Sequence, residues 1–211
     1  MKQTITTVLF ALACTQAFAA EQSVMNTNEK LKLVPSLGYT YFNIQGGDTA
    51  YESKGGSSAA VLIQMPMNAD LELESGLEYI ETGAKQSVSF GIFSFDTSNI
   101  TIKNLAIPLR AKYSFNTTQA EGTHWYGKAG LTPTYVMAAE LESMGTTQDI
   151  KSELNSFNIL TQAGVGADWQ VTMGGRVNVD FSYNYGLNKV SKNDNGRAAG
   201  FQLQAGYSIE L

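Results

Sequence analysis

The stretch Phe201-Gln-Leu-Gln-Ala-Gly-Tyr-Ser-Ile-Glu-Leu211 alternates apolar and polar residues without a slip. Phe201, Leu203, Ala205, Tyr207, Ile209 and Leu211 fall on one side of an extended chain. Gln202, Gln204, Gly206, Ser208 and Glu210 fall on the other, because successive strand side chains point to opposite faces. A strand that is greasy on one side, polar on the other and apolar at its last residue fits the wall of a lipid-embedded barrel. Phe201, Leu203, Tyr207, Ile209 and Leu211 are accordingly expected to form an outer-membrane assembly signal, with Leu211 standing where such signals usually carry Phe.

The other end of the sequence points the same way. Lys2, the apolar run Ile5 to Cys14, and Ala17-Phe18-Ala19 have the order of a secretory signal with its A-x-A cleavage site. Residues 1–19 are expected to be removed, 20–30 to form a short periplasmic segment, and 31–211 to form the barrel. A lipid-modified Cys14 is the alternative processing route. Cys14 is the only cysteine in the sequence, so no disulfide or thiolate metal site is expected after cleavage.

Hydrophobic residues make up 43% of the chain, yet none of their runs approaches the roughly 20 residues of a membrane helix. They are spread by alternation over eight segments, 31–41, 59–67, 71–79, 105–115, 125–137, 157–169, 177–187 and 201–211. The expected fold is an all-β, eight-stranded antiparallel up-and-down transmembrane barrel. Connectors at 45–57, 82–99, 139–155 and 188–198 are long and polar, whereas 68–70, 116–123 and 170–175 are shorter. External loops and periplasmic turns differ in this way. Val88 to Phe95 inside the 82–99 connector predicts a hairpin that prolongs two strands beyond the membrane.

Pro35, Pro66, Pro108 and Pro133 all fall in predicted strands, where proline cannot donate to the ladder. Pro35 and Pro66 lie near strand ends. Pro108 and Pro133 predict bulges or breaks in pairing.

The inward positions carry Glu72, Glu74, Glu78, Arg110, Lys112, Lys128, Asp168, Arg176, Asp180 and Glu210. An eight-stranded barrel is just wide enough for side chains to fill it, and buried charges are costly unless paired. Both signs are present, so a salt-bridge network is expected, joined by Gln202 and Gln204. A turn Asn68-Ala69-Asp70 would place Gln64 opposite Glu74, and a 170–174 turn would place Asp168 opposite Arg176. The network reads as lumen filling, with a gate for small ions as the alternative.

Other chemistry is thin. His124 is the lone histidine and has no partners at the spacing of a Ser-His or zinc site. Glu140, Glu142, Asp149 and Glu153 lack calcium-loop spacing and read as a solvated loop. No catalytic residue, metal or cofactor is expected. A net charge of −5 argues against nucleic acid as a partner.

Gly76-Leu-Glu-Tyr79 with Gly83, Leu105-Ala-Ile-Pro-Leu109 with Lys112-Tyr113, Lys128-Ala-Gly130, Gly164-Val-Gly166 and Tyr183-Asn-Tyr-Gly-Leu187 resemble the outer-membrane β-barrel domain of PorT-like proteins. The resemblance spans nearly all of the chain after the signal. It implies an eight-stranded barrel related in shape to the OmpA transmembrane domain, and it accommodates Pro108. It does not imply one activity.

The leading expectation is a non-enzymatic integral protein of a Gram-negative outer membrane. Its partners would be membrane lipid and the barrel-assembly machinery, with an extracellular or envelope protein reached through the four long connectors. A narrow transport or secretion component is the alternative. A soluble lipocalin-like barrel, with the apolar faces turned inward, is a further one.

Overall fold

The computed structural model describes residues 30–46, 51–90, 93–115, 122–143, 145–172 and 175–211, with 87–97 described by backbone alone. The expected signal segment and nearly all of the 20–30 segment lie outside the described residues. The alternating pattern yields ten strands: β1 (Lys32–Gln45), β2 (Glu52–Pro66), β3 (Leu71–Phe90), β4 (Phe93–Ala106), β5 (Leu109–Ser114), β6 (Thr123–Ser143), β7 (Thr146–Asp149), β8 (Phe157–Thr172), β9 (Gly175–Gly186) and β10 (Arg197–Glu210). Apart from β4 with β5 and β7 with β8, neighbours in sequence pair antiparallel; β6 pairs with β8, and β10 returns to β1, so the sheet closes on itself. β4 and β5 both lie between β3 and β6, and β7 only extends β6. The wall is therefore an up-and-down barrel of eight spans.

Alternation sorts the faces as the sequence implied. Leu37, Tyr39, Val61, Leu77, Leu105, Leu131, Val165, Phe181 and Leu203 are exposed on the outside. Ala167 shares the outward parity but is buried, opposite Trp125 in the β6–β8 register. Soluble barrels hide their apolar face inside; this one turns it outward, which excludes the lipocalin-like arrangement. Trp125, Trp169, Tyr113 and Phe115 ring the end with the short turns, and Tyr39, Tyr79, Tyr135 and Tyr183 ring the other, where amphipathic rings suit the two membrane interfaces.

The predicted asymmetry holds in part: the 45–57 and 82–99 connectors are mostly strand, whereas the segments between β7 and β8 and between β9 and β10 remain long. At the tight Asn68-Ala69-Asp70 turn, Asn68 Oδ1 accepts from the backbone N–H of Asp70 and Leu71 at 3.0 and 2.9 Å, a local lock typical of Asn in turns. At the opposite end β3 and β4 continue pairing as far as Phe90 and Phe93, the hairpin anticipated from Val88 to Phe95.

Of the bulges or breaks expected at the prolines, the structure has a break in pairing at Pro108 and no bulge at either. Register is unbroken past Pro108, since Ala106 and Leu109 keep their alignment with both Glu78 and Ser75 on β3 and Thr134 and Leu131 on β6. Pro133 also sits in continuous register, opposite Ile159. Neither proline makes a bulge; the bulge of β6 lies where Lys103 faces Ala138 and Asn104 faces Val136, leaving Met137 as the extra residue. Ile107 N–H donates to Pro133 O at 2.9 Å. In an antiparallel ladder that pair should exchange two bonds, and Pro133 cannot return the second. Pro108, one residue on, has no N–H for β3. The interruption between β4 and β5 thus comes from missing donors on both sides of one point.

Candidate functional site

The barrel interior is the most elaborate polar site among the described residues. At the short-turn end a chain of ion pairs crosses it: Lys32 with Glu72, Glu72 with Lys112 at 3.1 Å, Lys112 with Asp168 at 3.3 Å, and Asp168 with Arg176 at 3.1 Å. Lys112 also lies over the Tyr126 ring, 4.3 Å from its centre, a favourable cation–π position. One level further in, Arg110 pairs with both Glu74, at 3.1 Å, and Glu78. Gln64 donates to Glu74 at 2.9 Å, and Lys128 pairs with Asp180. The amides of Gln202 and Gln204 each donate to Glu78 Oε1 at 2.8 Å. Five cations (Lys32, Arg110, Lys112, Lys128, Arg176) thus meet five anions (Glu72, Glu74, Glu78, Asp168, Asp180). Pairing of this density is what permits charge in so narrow a space.

Two sequence expectations need correction. Asp168 stands opposite Asn178, and Arg176 opposite Gln170, so the Asp168–Arg176 contact is diagonal rather than directly cross-strand. β8 and β9 keep pairing as far as Thr172 and Gly175, further than a 170–174 turn allows, and this sets the offset. Glu210 has inward parity but lies at the rim, 44% exposed and 3.9 Å from Lys30, outside the buried network. Gln64 does stand opposite Glu74. Lys32 was missed, although Leu31 and Leu33 on either side assign it to the interior. His124 is buried at the same end, opposite Asp168.

Above the charges the interior turns neutral and then apolar. Gln162 donates to Ser182 and Gln202, and Asn104 to Ile80 O and Thr82. Ile102, Val136, Ala139, Ile150, Leu154 and Val190 then form a buried apolar cluster. Ile150, Leu154 and Val190 come from the 139–155 and 188–198 connectors. These connectors clasp one another: Asn155 N–H donates to Val190 O at 2.9 Å and Lys192 N–H to Glu153 O at 3.0 Å. A lid of this kind was not readable from alternation, because its residues belong to loops.

On the outer surface, a charged belt follows the Tyr79 level. Glu81 faces Lys103 across β3 and β4, and Lys103 pairs with Glu140 at 3.1 Å. The Glu140 carboxylate raises the Lys103 pKa. Lys54 reaches across Gly83 to donate to Thr101 Oγ1, and partial burial lowers its pKa. A Cβ at Gly83 would lie 2.2 Å from Ile100 O, so only glycine lets β4 and the Lys54 stem come this close. Among the described residues no group of three or more His, Cys, Asp or Glu could hold a metal ion.

Comparison with known proteins gives the geometry its context. Residues 20–192 match the model of the outer membrane protein beta-barrel domain. The match is to this broad family and does not single out the PorT-like proteins. No curated protein matches the chain. Among solved structures, the Neisserial surface protein A (NspA) superposes with a TM-score of 0.56 at 16% identity, covering 86% of this chain and 97% of that one. The outer membrane protein OprG from Pseudomonas aeruginosa gives 0.53 at 12% identity, covering 86% and 96%. At such identities the likeness speaks for the fold alone. With a closed wall, an outward apolar band and a family match over most of its length, the chain belongs to the outer membrane protein β-barrel domain family.

Proposed function

We propose that the chain is a non-enzymatic outer-membrane protein whose barrel is a rigid, sealed platform and whose working surface is the loop end. The observation that carries this is the double closure of the interior, by paired charges near the short turns and by the apolar lid of Ile150, Leu154 and Val190 at the other end. A path for solutes would have to break both. Residues 45–57, 82–99, 139–155 and 188–198 are then the surface for an extracellular or envelope partner, since function concentrates on loops held by a rigid scaffold. Delivery would use cleavage after Ala19 and the barrel-assembly machinery.

The test is conductance of the purified protein in a planar bilayer. The expected record is flat, for the wild type and for Arg110→Gln and Arg176→Gln alike. Discrete openings that change with either substitution would replace this reading with a narrow transport component.

A further inference from the structure

The lipid-facing wall is not evenly filled. A groove of about 900 Å³ crosses it from β10 over β1, β2 and β3 to β4. One hydrogen-bonding row sets its course: Ala205 faces Leu37, Leu37 faces Ala59, Ala59 faces Tyr79, and Tyr79 faces Leu105. The alanines on both sides leave Leu37 without tall neighbours, and at 71% it is the most exposed large apolar side chain described. The row climbs from near Tyr207 at the short-turn side and continues through Tyr135 and Phe157 at the loop side. The groove's upper end therefore opens directly beneath Glu81 and Lys103.

We propose that this groove seats an acyl chain of lipid A in the outer leaflet, with the phosphorylated sugar headgroup on the charged belt above. The proposal rests on the outer-membrane reading. An apolar groove at membrane depth meets hydrocarbon and not water, so its occupant must be apolar. Its upper end, at the loop side, is the one that meets charged groups able to hold a headgroup, which points to the outer leaflet. The belt supplies what a phosphorylated sugar needs: ammonium groups on Lys54 and Lys103 to donate to phosphate, and carboxylates of Glu81 and Glu140 to accept from sugar hydroxyls. Ser57, whose N–H and hydroxyl donate to Glu81 at 3.3 and 3.1 Å, holds that carboxylate in place.

The refolded barrel in non-ionic detergent would be incubated with diphosphorylated lipid A and, separately, with phosphatidylglycerol, and adducts counted by native mass spectrometry. Wild type should retain one lipid A. The double variant Ala59→Phe/Ala205→Phe, which fills the groove from its outward face, should retain at least tenfold less. Lys103→Gln should retain severalfold less. Heat-modifiable migration reports the barrel fold, so failure of the membrane reading would appear there first. A lipid A with a photoreactive acyl chain gives a readout that needs no variant: labelling of wild type should centre on Leu37 and Tyr207. Even labelling around the barrel, equal retention of phosphatidylglycerol, unchanged binding by the filled variant, or a dimer abolished by filling would each overturn the proposal.

Discussion

Lys112 and Lys128 stand directly opposite one another on β5 and β6, both buried in the barrel. Like charges placed so are destabilising. They persist because acids from other strands intervene, Glu72 and Asp168 at Lys112, and Asp180 at Lys128. The sign of the interior thus depends on carboxylates that are distant in sequence, and each is a point of vulnerability.

Asp180→Asn should expose that dependence. It leaves Lys128 facing Lys112 without its carboxylate, and removing one member of a buried pair typically costs about 3–5 kcal/mol. Urea unfolding of the refolded barrel should show a loss in this range. Glu210→Gln, at the exposed rim, should change the midpoint little. Equal effects for the two would mean that interior pairing is not what stabilises the wall.

Arg110 offers a sharper comparison, because it pairs with both Glu74 and Glu78 while its side chain is only 1% exposed. Arg110→Met leaves two buried carboxylates short of a cation and should cost about 3–5 kcal/mol. Adding Glu78→Gln should recover part of that loss, since Gln202 and Gln204 can still donate to the amide oxygen. No recovery in the double variant would show that the damage comes from packing rather than charge.

The lid should uncouple from the barrel. Leu154 and Val190 are buried in the apolar cluster but belong to connectors held mainly by a few backbone bonds. Large-to-small changes in such sites typically cost about 2–5 kcal/mol, here drawn from local closure. Leu154→Ala/Val190→Ala should raise protease cleavage within 144–156 and 187–197 manyfold, while heat-modifiable migration persists. Loss of the folded band would instead make the lid part of the barrel's own cooperative unit.

How much could be read beforehand follows from what alternation encodes. Strand parity gives the face of a residue, and it correctly put Glu74, Arg110 and Gln204 inside and Leu37 and Leu203 outside. Parity says nothing about depth along the strand. Glu210 therefore looked like Glu78 although it lies at the rim. Cross-strand partners follow from turn length only where the turn's bounds are themselves legible. The Asn68-Ala69-Asp70 turn gave Gln64 opposite Glu74, whereas pairing that runs on to Thr172 and Gly175 displaced Asp168 from Arg176. The lid and the lipid-face groove depend on contacts between distant segments, which no local pattern carries.

Pro133 allows the missing-donor account of the β4–β5 interruption to be tested. Ile107 O faces a position with no N–H, at the depth where neighbouring Leu105 and Leu109 face outward into the apolar band. An unsatisfied carbonyl there costs several kcal/mol, because no water reaches it. Pro133→Val supplies the donor with a residue suited to strands. It also frees the unfolded chain, which returns about 0.4–1 kcal/mol. The first effect is the larger, so unfolding in lipid vesicles should become harder by about 1 kcal/mol or more, a typical net hydrogen bond. Hydrogen exchange should show new protection at residue 133. A lower stability with no new protection would mean that Ile107 O already has another partner, and that the interruption has a different cause.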